Sequence, residues 1–595
     1  MQPAETIGYP KHRHLGTLFF SRVQELGNKT FIKLQRGERF EEISWRKFGA
    51  KVRAAMLGLC ALGLVKGLAV AIFGENSLEW LCADLATLVG GFPNVVISPA
   101  LSDIMVLKIL CHSRCRVAFV ENETAVGRVL NLKGQLPYLD HIIALDGSGA
   151  GLPYTLTFDE LLARGAAQYE GAFNAVLESI HPQDLASIMY TSGSTGEPKG
   201  VMRTHGNLLS NISNGGEIVL SKPEEMAVII LSLNHLLGRF GFLKSAVTGR
   251  TTAVIDATEQ SVSLKIIEAL SPTAMTLVPR VMEKIWSTVL DADGNRHLWE
   301  ELEALDKTKR EQGSLRAEEA RRYEDLRSIL KQAVKQALGG RIKYITYGGA
   351  PMRPRIVHFF QLIGIPLLGT YGSTECGGVS LSGLDDCKPG SLGKPFANVE
   401  VRIADDGEIL VRGPTVTPGY FENPEATAEA IDAEGWYHSG DLGRMDAEGC
   451  LYVVGRKKDI FYCSDGSNIC PGYIELLLEN DPFVRQAVLL GDHRPFIAAL
   501  IVPERKKIAA ELKKQEASLT EREIEALIQS RVEQINLRLE TVERIRRIAV
   551  MAEDFPDDVR SVSAFQKIKV DRIAVQARYQ EQIGAIYLSP ERGAA

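Results

Sequence analysis

Short apolar runs alternate with amphipathic segments between about residues 44 and 180. Trp45–Leu64 carries apolar residues at helical spacing, and Ala69–Phe73 is a short apolar run bounded by glycines. Leu101–His112 again has helical spacing, and Val117–Val120 is again strand-like. Strands that alternate with helices pair in parallel and are covered on both faces. The pattern therefore predicts a doubly wound α/β subdomain.

A second set of strand-like runs follows at 227–233, 253–255, 274–278 and 344–346, and it predicts a second α/β subdomain. Between the last two of these runs, residues 291–339 are rich in charged residues and have apolar positions three and four residues apart. This pattern is typical of two solvent-facing helices. After Asp386, short strands and tight turns indicate a small β-rich subdomain, and helices are expected near 472–480 and 504–541. The predicted domains are an N-terminal domain at 1–455, which includes the helical insertion at 291–339 and the β-rich part at 386–455, and a small mobile α+β C-terminal domain at 456–595.

Composition narrows the class of protein. The chain is 45% hydrophobic and 24% charged, with a net charge of −6. Nucleic-acid binding usually requires a basic surface, so it is not expected here. The nine cysteines are odd in number and scattered, as expected for free thiols in a reducing compartment. No signal peptide or membrane span is evident, which predicts a cytoplasmic protein and leaves peripheral membrane contact open.

The most specific motif follows Tyr190 and reads TSGSTGEPKG, ending at Gly200. Its glycines let the backbone approach a polyanion, its amide and hydroxyl groups surround phosphate oxygens, and its lysine adds a positive charge. The spacing differs from the GxxxxGK[ST] loop of nucleoside-triphosphatases. The predicted phosphate-binding residues are Thr191, Ser192, Gly193, Ser194, Thr195, Gly196 and Lys199.

This string resembles the signature loop of the adenylate-forming superfamily, the AMP-binding enzymes. The resemblance implies that ATP activates a carboxylic acid as an acyl-adenylate with release of pyrophosphate, and that Thr191 takes part in catalysis. Leu233–Arg239 resembles a further family stretch, in which the ring of His235 would lie beside the acyl carboxylate. Arg239 is retained there, whereas Gly238 replaces the usual acidic residue.

Other family motifs occur in the expected order. Gly349-Ala350-Pro351 resembles the loop beneath the adenine. In Tyr371-Gly372-Ser-Thr374-Glu375 the resemblance implies that the tyrosine stacks on adenine, the threonine contacts the α-phosphate and the glutamate binds Mg²⁺. Asp441 would bind the ribose hydroxyls, Arg456 would contact ribose or phosphate, and Lys458 would be the hinge residue.

The family also places a catalytic lysine near the C-terminus, and two lysines compete for that role. Counting forward from Phe555 favours Lys567, whereas counting backward from Tyr579 and Tyr587 favours Lys569. Phe565 and Val570 depart from the family's local pattern, so both alternatives stay open, with Lys567 preferred.

The helical insertion and the residues after Asn468 are most similar to those of long-chain fatty acyl-CoA synthetases. That similarity implies a medium- to long-chain fatty acid and coenzyme A as substrates. An acyl-ACP synthetase or acyl-AMP ligase that loads an acyl carrier protein is the alternative. A non-catalytic nucleotide-binding relative and a luciferase-like oxidative enzyme are further alternatives. Chain length and oligomeric state are not determined by the sequence.

Overall fold

A computed structural model describes most of the chain. The described residues are 14–37, 39–168, 170–192, 197–213, 225–255, 264–292, 294–384, 388–464, 467–556, 560–562, 568–570 and 572–588. Within these ranges, no helix combines the length and the apolar character needed to cross a membrane.

The α-helices are α1 Leu15–Leu26, α2 Trp45–Ala61, α3 Leu78–Gly90, α4 Asp103–Ser113, α5 Glu123–Leu132, α6 Phe158–Ala166, α7 Glu170–Glu178, α8 His205–Ser213, α9 Leu236–Thr248, α10 Leu264–Leu270, α11 Pro279–Asp291, α12 Asn295–Gln312, α13 Ala317–Ala337, α14 Pro354–Leu362, α15 Pro424–Ala430, α16 Pro471–Glu479, α17 Arg505–Glu511, α18 Glu521–Asn536, α19 Arg572–Arg578 and α20 Gln580–Leu588. The strands are β1 Thr30–Arg36, β2 Arg39–Ser44, β3 Val70–Phe73, β4 Asn94–Ile97, β5 Val117–Val120, β6 His141–Ala144, β7 Thr155–Thr157, β8 Leu185–Ser192, β9 Pro198–Thr204, β10 Met226–Ile229, β11 Thr251–Val254, β12 Ala274–Leu277, β13 Tyr344–Tyr347, β14 Leu367–Ser373, β15 Gly377–Leu381, β16 Lys394–Pro395, β17 Glu400–Ile403, β18 Glu408–Arg412, β19 Tyr437–Met445, β20 Leu451–Arg456, β21 Phe461–Tyr462, β22 Asn468–Ile469, β23 Val484–Leu490, β24 Ile497–Pro503, β25 Ile545–Val550, β26 Arg560–Val562 and β27 Ile568–Val570.

The first sheet has the strand order β7-β6-β5-β3-β4-β8-β9, and every pair except β8 with β9 is parallel. Strands β3, β4 and β5 are buried along their whole length, as continuous apolar runs require when helices cover both faces. The helices start where the sequence supplies caps, because Ser77, Ser102 and Asn122 each accept a hydrogen bond from a backbone N–H of the first turn.

The second sheet has the order β16-β15-β14-β13-β12-β10-β11-β1-β2. Its central strands β10 to β14 and β1 run in parallel, and antiparallel pairs close both edges. The N-terminal hairpin of β1 and β2 was not predicted from the sequence. The reason is that β2 is mostly exposed and β1 pairs with β11, which is distant in the chain. Helices α12 and α13 occupy most of the predicted insertion and pack on this subdomain through buried Trp299, Leu326 and Leu330.

Two smaller units complete the chain. Strands β17 to β20 form an antiparallel sheet. Beyond it, β23, β24 and β25 form a three-stranded sheet whose alternate residues pack on opposite layers: Ala499 and Ile501 lie in one core, and Ala498 and Leu500 lie in the other. The helical stretch expected at 504–541 is interrupted, because Thr520 caps α18 in a capping box with Glu523. The α/β class, with a large N-terminal domain and a smaller C-terminal domain, is confirmed.

Candidate active site

Two of the predicted motifs lie at the carboxyl end of neighbouring strands in the second sheet. Strands β12, β13 and β14 are parallel neighbours, so their carboxyl ends lie side by side. The loop after β13 contains Gly349, Ala350 and Pro351, and β14 runs into the Tyr371–Glu375 motif. Gly348 approaches β14 so closely that a side chain at this position would lie 2.7 Å from Thr370 Cγ2. The predicted adenine loop and the Tyr371–Glu375 motif are therefore adjacent.

The phosphate-loop sequence begins on β8 and ends on β9, and these two strands pair in antiparallel fashion. Thr191 is paired with Lys199 across the hairpin, next to the pair of Ser192 and Pro198. The hydroxyl of Tyr190, the residue before Thr191, lies 2.7 Å from His112 Nδ1 on α4. Thus the structure brings the two ends of the predicted loop together. Its tip, Gly193, Ser194, Thr195 and Gly196, lies outside the described residues.

One tyrosine contacts both the phosphate-loop lysine and the predicted metal ligand. The Tyr420 hydroxyl donates to Glu375 Oε1 at 3.3 Å, and Lys199 Nζ lies 5.3 Å from the centroid of the Tyr420 ring. Burial and the Glu375 carboxylate raise the pKa of Tyr420, so its phenol stays protonated and keeps donating. Tyr420 was missed in the sequence, where only the Pro418-Gly419-Tyr420 turn marked the position.

The turn that carries Glu375 depends on close backbone packing. A Cβ at Gly372 would lie 2.1 Å from the carbonyl oxygen of Gly377, so only glycine fits. The Ser373 hydroxyl then accepts the backbone N–H groups of Glu375 and Cys376 at 3.2 Å each. The close packing at Gly372 and the hydrogen bonds to Ser373 therefore fix the backbone of the turn at Glu375.

The predicted ribose-binding carboxylate is held by two other predicted site residues. Asp441 is buried, accepts the Tyr371 hydroxyl at 2.7 Å and forms an ion pair with Arg456, with Nε and Oδ1 at 2.7 Å. Asp441 and Arg456 are direct cross-strand partners in β19 and β20. Burial, and to a smaller extent the charge of Asp441, raises the pKa of Tyr371, so this hydroxyl remains a donor. The structure thus joins the adenine, ribose and phosphate motifs into one cluster.

His235 is the residue before the first turn of α9 and is half-buried. The departure at Gly238 has a steric reason, since a Cβ there would lie 2.5 Å from the carbonyl oxygen of Ser232. Arg239 is fully buried and pairs with Asp84, with Nη2 and Oδ1 at 2.7 Å, while its Nη1 donates to the Ser187 hydroxyl at 2.8 Å. Arg239 therefore joins α9 to the first sheet, and this ion pair fixes the helix that begins beside His235.

A small apolar cavity of about 20 Å³ lies between α9 and the strands β10 and β12. Its lining includes Leu231, Leu237, Gly241 and Met275. Gly241 leaves open space in this wall, because a Cβ built there meets no atom within 4 Å. A cavity of this volume holds about one water molecule, so an acyl chain would need a wider opening between α9 and the strands. The helix wall of the cavity begins at His235.

The hinge motif lies at the end of β20. Lys457 forms ion pairs with Asp406 at 2.7 Å and Glu408 at 2.9 Å, which raise its pKa to about 12. Glu408 also accepts the backbone N–H of Gly440 at 2.8 Å, next to Asp441. Lys458 is exposed, in the short 3₁₀ turn that follows. Lys457 is thus tied to the β-rich sheet, and the hinge role of Lys458 stays a prediction.

The two C-terminal lysines are not distinguished. Lys567 lies outside the described residues. Lys569 belongs to β27, where it is paired with Ser561 of β26. Because the described residues do not place either side chain at the site, the choice between them stays open.

The residues present fit a magnesium ion bound together with a nucleotide. Among the described residues, no three His, Cys, Asp or Glu side chains are grouped so as to hold a metal. Mg²⁺ is usually held by one or two carboxylates, substrate phosphates and waters rather than by an all-protein cage. Glu375, which faces the Tyr420 hydroxyl beside Lys199, offers one such carboxylate.

Family comparisons agree with this architecture. The family model described as AMP-binding enzyme matches residues 19–421, and the model described as AMP-binding enzyme C-terminal domain matches residues 458–591. The chain therefore belongs to the AMP-binding enzyme family. It is 32% identical to the long-chain-fatty-acid–CoA ligase FadD15 of Mycobacterium bovis, over 90% of this chain and 91% of that protein. It is 26% identical to the long-chain-fatty-acid–CoA ligase ACSBG1 of Bos taurus, over 97% and 85% of the two chains.

Solved structures show the same fold at low sequence identity. The anthranilate CoA ligase AuaEII in complex with anthranoyl-AMP superposes with a TM-score of 0.73 at 19% identity, covering 96% of this chain and 98% of that chain. A fatty acyl CoA synthetase of Mycobacterium tuberculosis gives a TM-score of 0.63 at 21% identity, covering 96% and 99%.

Proposed function

We propose that this protein converts a medium- to long-chain fatty acid to its acyl-adenylate with ATP and then transfers the acyl group to coenzyme A. The observation that carries this proposal is the cluster of Lys199, Tyr420 and Glu375, together with Asp441, which accepts a hydrogen bond from Tyr371 of the same motif as Glu375. The similarity to two long-chain-fatty-acid–CoA ligases supports the acyl substrate, and the small apolar cavity beside the helix that begins at His235 marks where the acyl chain would enter.

The chemistry proceeds in two steps. A carboxylate oxygen forms a bond to the α-phosphorus while the bond from that phosphorus to the bridging oxygen breaks, releasing pyrophosphate. The coenzyme A thiol then gives its proton to water, its sulfur forms a bond to the acyl carbonyl carbon, and the bond from that carbon to the AMP oxygen breaks. In the first step Lys199 and the hairpin amides hold the phosphates, Asp441 and Arg456 orient the ribose, and His235 lies beside the acid. Mg²⁺ on Glu375 would neutralise part of the phosphate charge.

An isotope experiment tests the reaction class. With ¹⁸O-labelled hexadecanoate, ATP and coenzyme A, one labelled oxygen should appear in AMP, because the attacking oxygen stays on phosphorus when the thiol takes the acyl group. Unlabelled AMP, or ADP as the nucleotide product, would refute an acyl-adenylate. Replacing coenzyme A with an acyl carrier protein tests the alternative acceptor, and acylated carrier protein without acyl-CoA would favour it.

A matched pair of variants tests the metal ligand. Glu375→Gln should raise the Mg²⁺ concentration needed for half-maximal pyrophosphate release by at least about tenfold, since one anionic ligand is lost. Glu400→Gln is the control, because Glu400 is an exposed carboxylate paired with Arg412 on the β-rich sheet. Equal Mg²⁺ dependence in the two variants would contradict the assignment.

We also infer a reducing, cytoplasmic location. It is supported by the eight cysteines in the described part of the chain, which are all free thiols.

A further inference from the structure

A fully buried arginine lies directly behind the predicted metal ligand. Arg203 is on β9, the strand that leads away from the phosphate loop, and its side chain is completely shielded from solvent. Its Nη1 group donates to the carbonyl oxygens of Thr415 at 2.8 Å, Glu375 at 3.2 Å and Thr374 at 3.4 Å. One guanidinium group therefore contacts the backbone of Glu375 and of the residue before it.

These three carbonyl groups come from different parts of the fold. Thr374 and Glu375 follow β14 of the second sheet, whereas Thr415 lies between β18 and α15 in the β-rich region. The same segments meet through Thr417, whose backbone N–H donates to the Glu375 carbonyl at 2.7 Å and whose hydroxyl donates to the Met202 carbonyl at 2.6 Å. Arg203 thus lies at the junction of the phosphate hairpin, the Glu375 turn and the segment that leads to Tyr420.

Stability alone is a poor reason for an arginine at this position. Its Nε and Nη2 atoms are buried and have no hydrogen-bond partner among the described residues. A buried cation with unsatisfied donors costs free energy, which offsets part of what its hydrogen bonds to the three carbonyl groups contribute. The Glu375 carbonyl would also keep the Thr417 N–H as a donor if the guanidinium were removed.

We propose that Arg203 is a positioning residue that fixes the Glu375 backbone relative to the phosphate hairpin and thereby sets the affinity of the site for the metal–nucleotide complex. This inference rests on the proposed role of Glu375 as the Mg²⁺ ligand. A carboxylate on a short turn can meet a metal bound to phosphates only if the turn and the phosphate loop keep a fixed separation. Hydrogen-bonded groups that orient a metal ligand typically change metal affinity about 10–100-fold when they are removed.

The test measures metal binding rather than turnover. Mn²⁺ replaces Mg²⁺, and its affinity for the protein–ATP complex is followed by electron paramagnetic resonance, with the thermal midpoint of each apo protein recorded in parallel. Arg203→Met should weaken Mn²⁺ binding about tenfold or more. Its thermal midpoint should also fall, because the Thr374 and Thr415 carbonyl groups lose their donor, so the loss of affinity is judged against a control that is also destabilised. Arg203→Lys keeps the charge, but its shorter side chain does not bring the ammonium group as close to the three carbonyl groups, so it should give an intermediate loss.

Asn207→Ala is the matched control. The Asn207 side chain donates to the carbonyls of Pro414 and Val416, so it holds the same segment to α8 without contacting the Glu375 turn. This variant should lower the thermal midpoint and leave Mn²⁺ affinity close to that of the unaltered protein. An equal loss of Mn²⁺ affinity in Asn207→Ala would mean that general loosening explains the effect and would overturn the proposal.

The remaining outcomes separate the two levels of inference. Glu375→Gln that binds Mn²⁺ normally would refute the metal assignment itself. If Glu375→Gln loses affinity while Arg203→Met and Arg203→Lys both bind normally, only the role of Arg203 is wrong. If Arg203→Met does not fold, Arg203→Lys decides: normal Mn²⁺ affinity in that variant would overturn the proposal.

Discussion

Filling the space at Gly241 should shorten the fatty acids that the protein accepts. Gly241 lines the apolar cavity, and a side chain there would enter open space rather than meet a neighbour. The residue lies about 9 Å along α9 from His235, at 1.5 Å per residue. In the proposed acyl site, which follows this helix, a phenyl ring at this position would occupy the distal part and leave the carboxylate end unchanged.

The size of the effect follows from the apolar contacts that are lost. If the ring excludes about four methylene groups, at about 0.8 kcal/mol each, the longest acids lose about 3 kcal/mol. That corresponds to a fall of roughly 200-fold in kcat/KM. An acid whose chain ends before Gly241 should lose little, so the ratio between long and short acids is the informative quantity.

The assay compares kcat/KM for octanoate, dodecanoate and hexadecanoate by pyrophosphate release. Gly127→Phe is the matched control, because Gly127 is also a helical glycine with open space around its Cβ position, but on α5 of the first sheet. The reasoning is refuted if Gly241→Phe keeps the chain-length profile of the unaltered protein. It is also refuted if all three acids fall by the same factor.

Three further predictions concern stability, pH and the terminal lysines. Asp84→Asn should lower the free energy of unfolding by about 3–5 kcal/mol, because it leaves the buried Arg239 guanidinium without its counter-charge. Urea unfolding measures this loss. A double variant, Asp84→Leu/Arg239→Met, removes both charges and should regain most of the lost stability. Burial raises the pKa of Glu479 to about 7, so the unfolded chain releases this proton at lower pH than the folded chain. The free energy of unfolding should therefore fall by at most about 3 kcal/mol as the pH rises from about 4.5 to 7, and then level off. Urea midpoints across this pH range measure the change. If Glu479→Gln shows the same dependence of stability on pH, the prediction is contradicted. Lys567→Ala should abolish adenylate formation from ATP but spare thioester formation from preformed acyl-adenylate, as measured by separate half-reaction assays. If Lys569→Ala alone abolishes it, the register of the C-terminal loop is wrong by two residues.

The hairpin of β1 and β2 was not predicted, which shows that local sequence patterns do not reveal strand pairs formed by distant segments. Its strands carry no clear period-two burial, and its partner β11 is distant in the chain, so the pairing has no local signal. Gly238 is similar. Its identity is a departure from the family motif in the sequence, and only the close approach of the Ser232 carbonyl explains it.

The sequence by itself determined the α/β class, the succession of strands and helices, and the phosphate-loop chemistry, because periodicity and a ten-residue motif are local properties of the chain. It also indicated Glu375, Asp441 and Arg456 through their motifs. Only the tertiary structure placed Tyr420 between Lys199 and Glu375 and placed Arg203 behind the Glu375 turn. These contacts join segments from different sheets, and which segments meet is decided by packing, which no local pattern records.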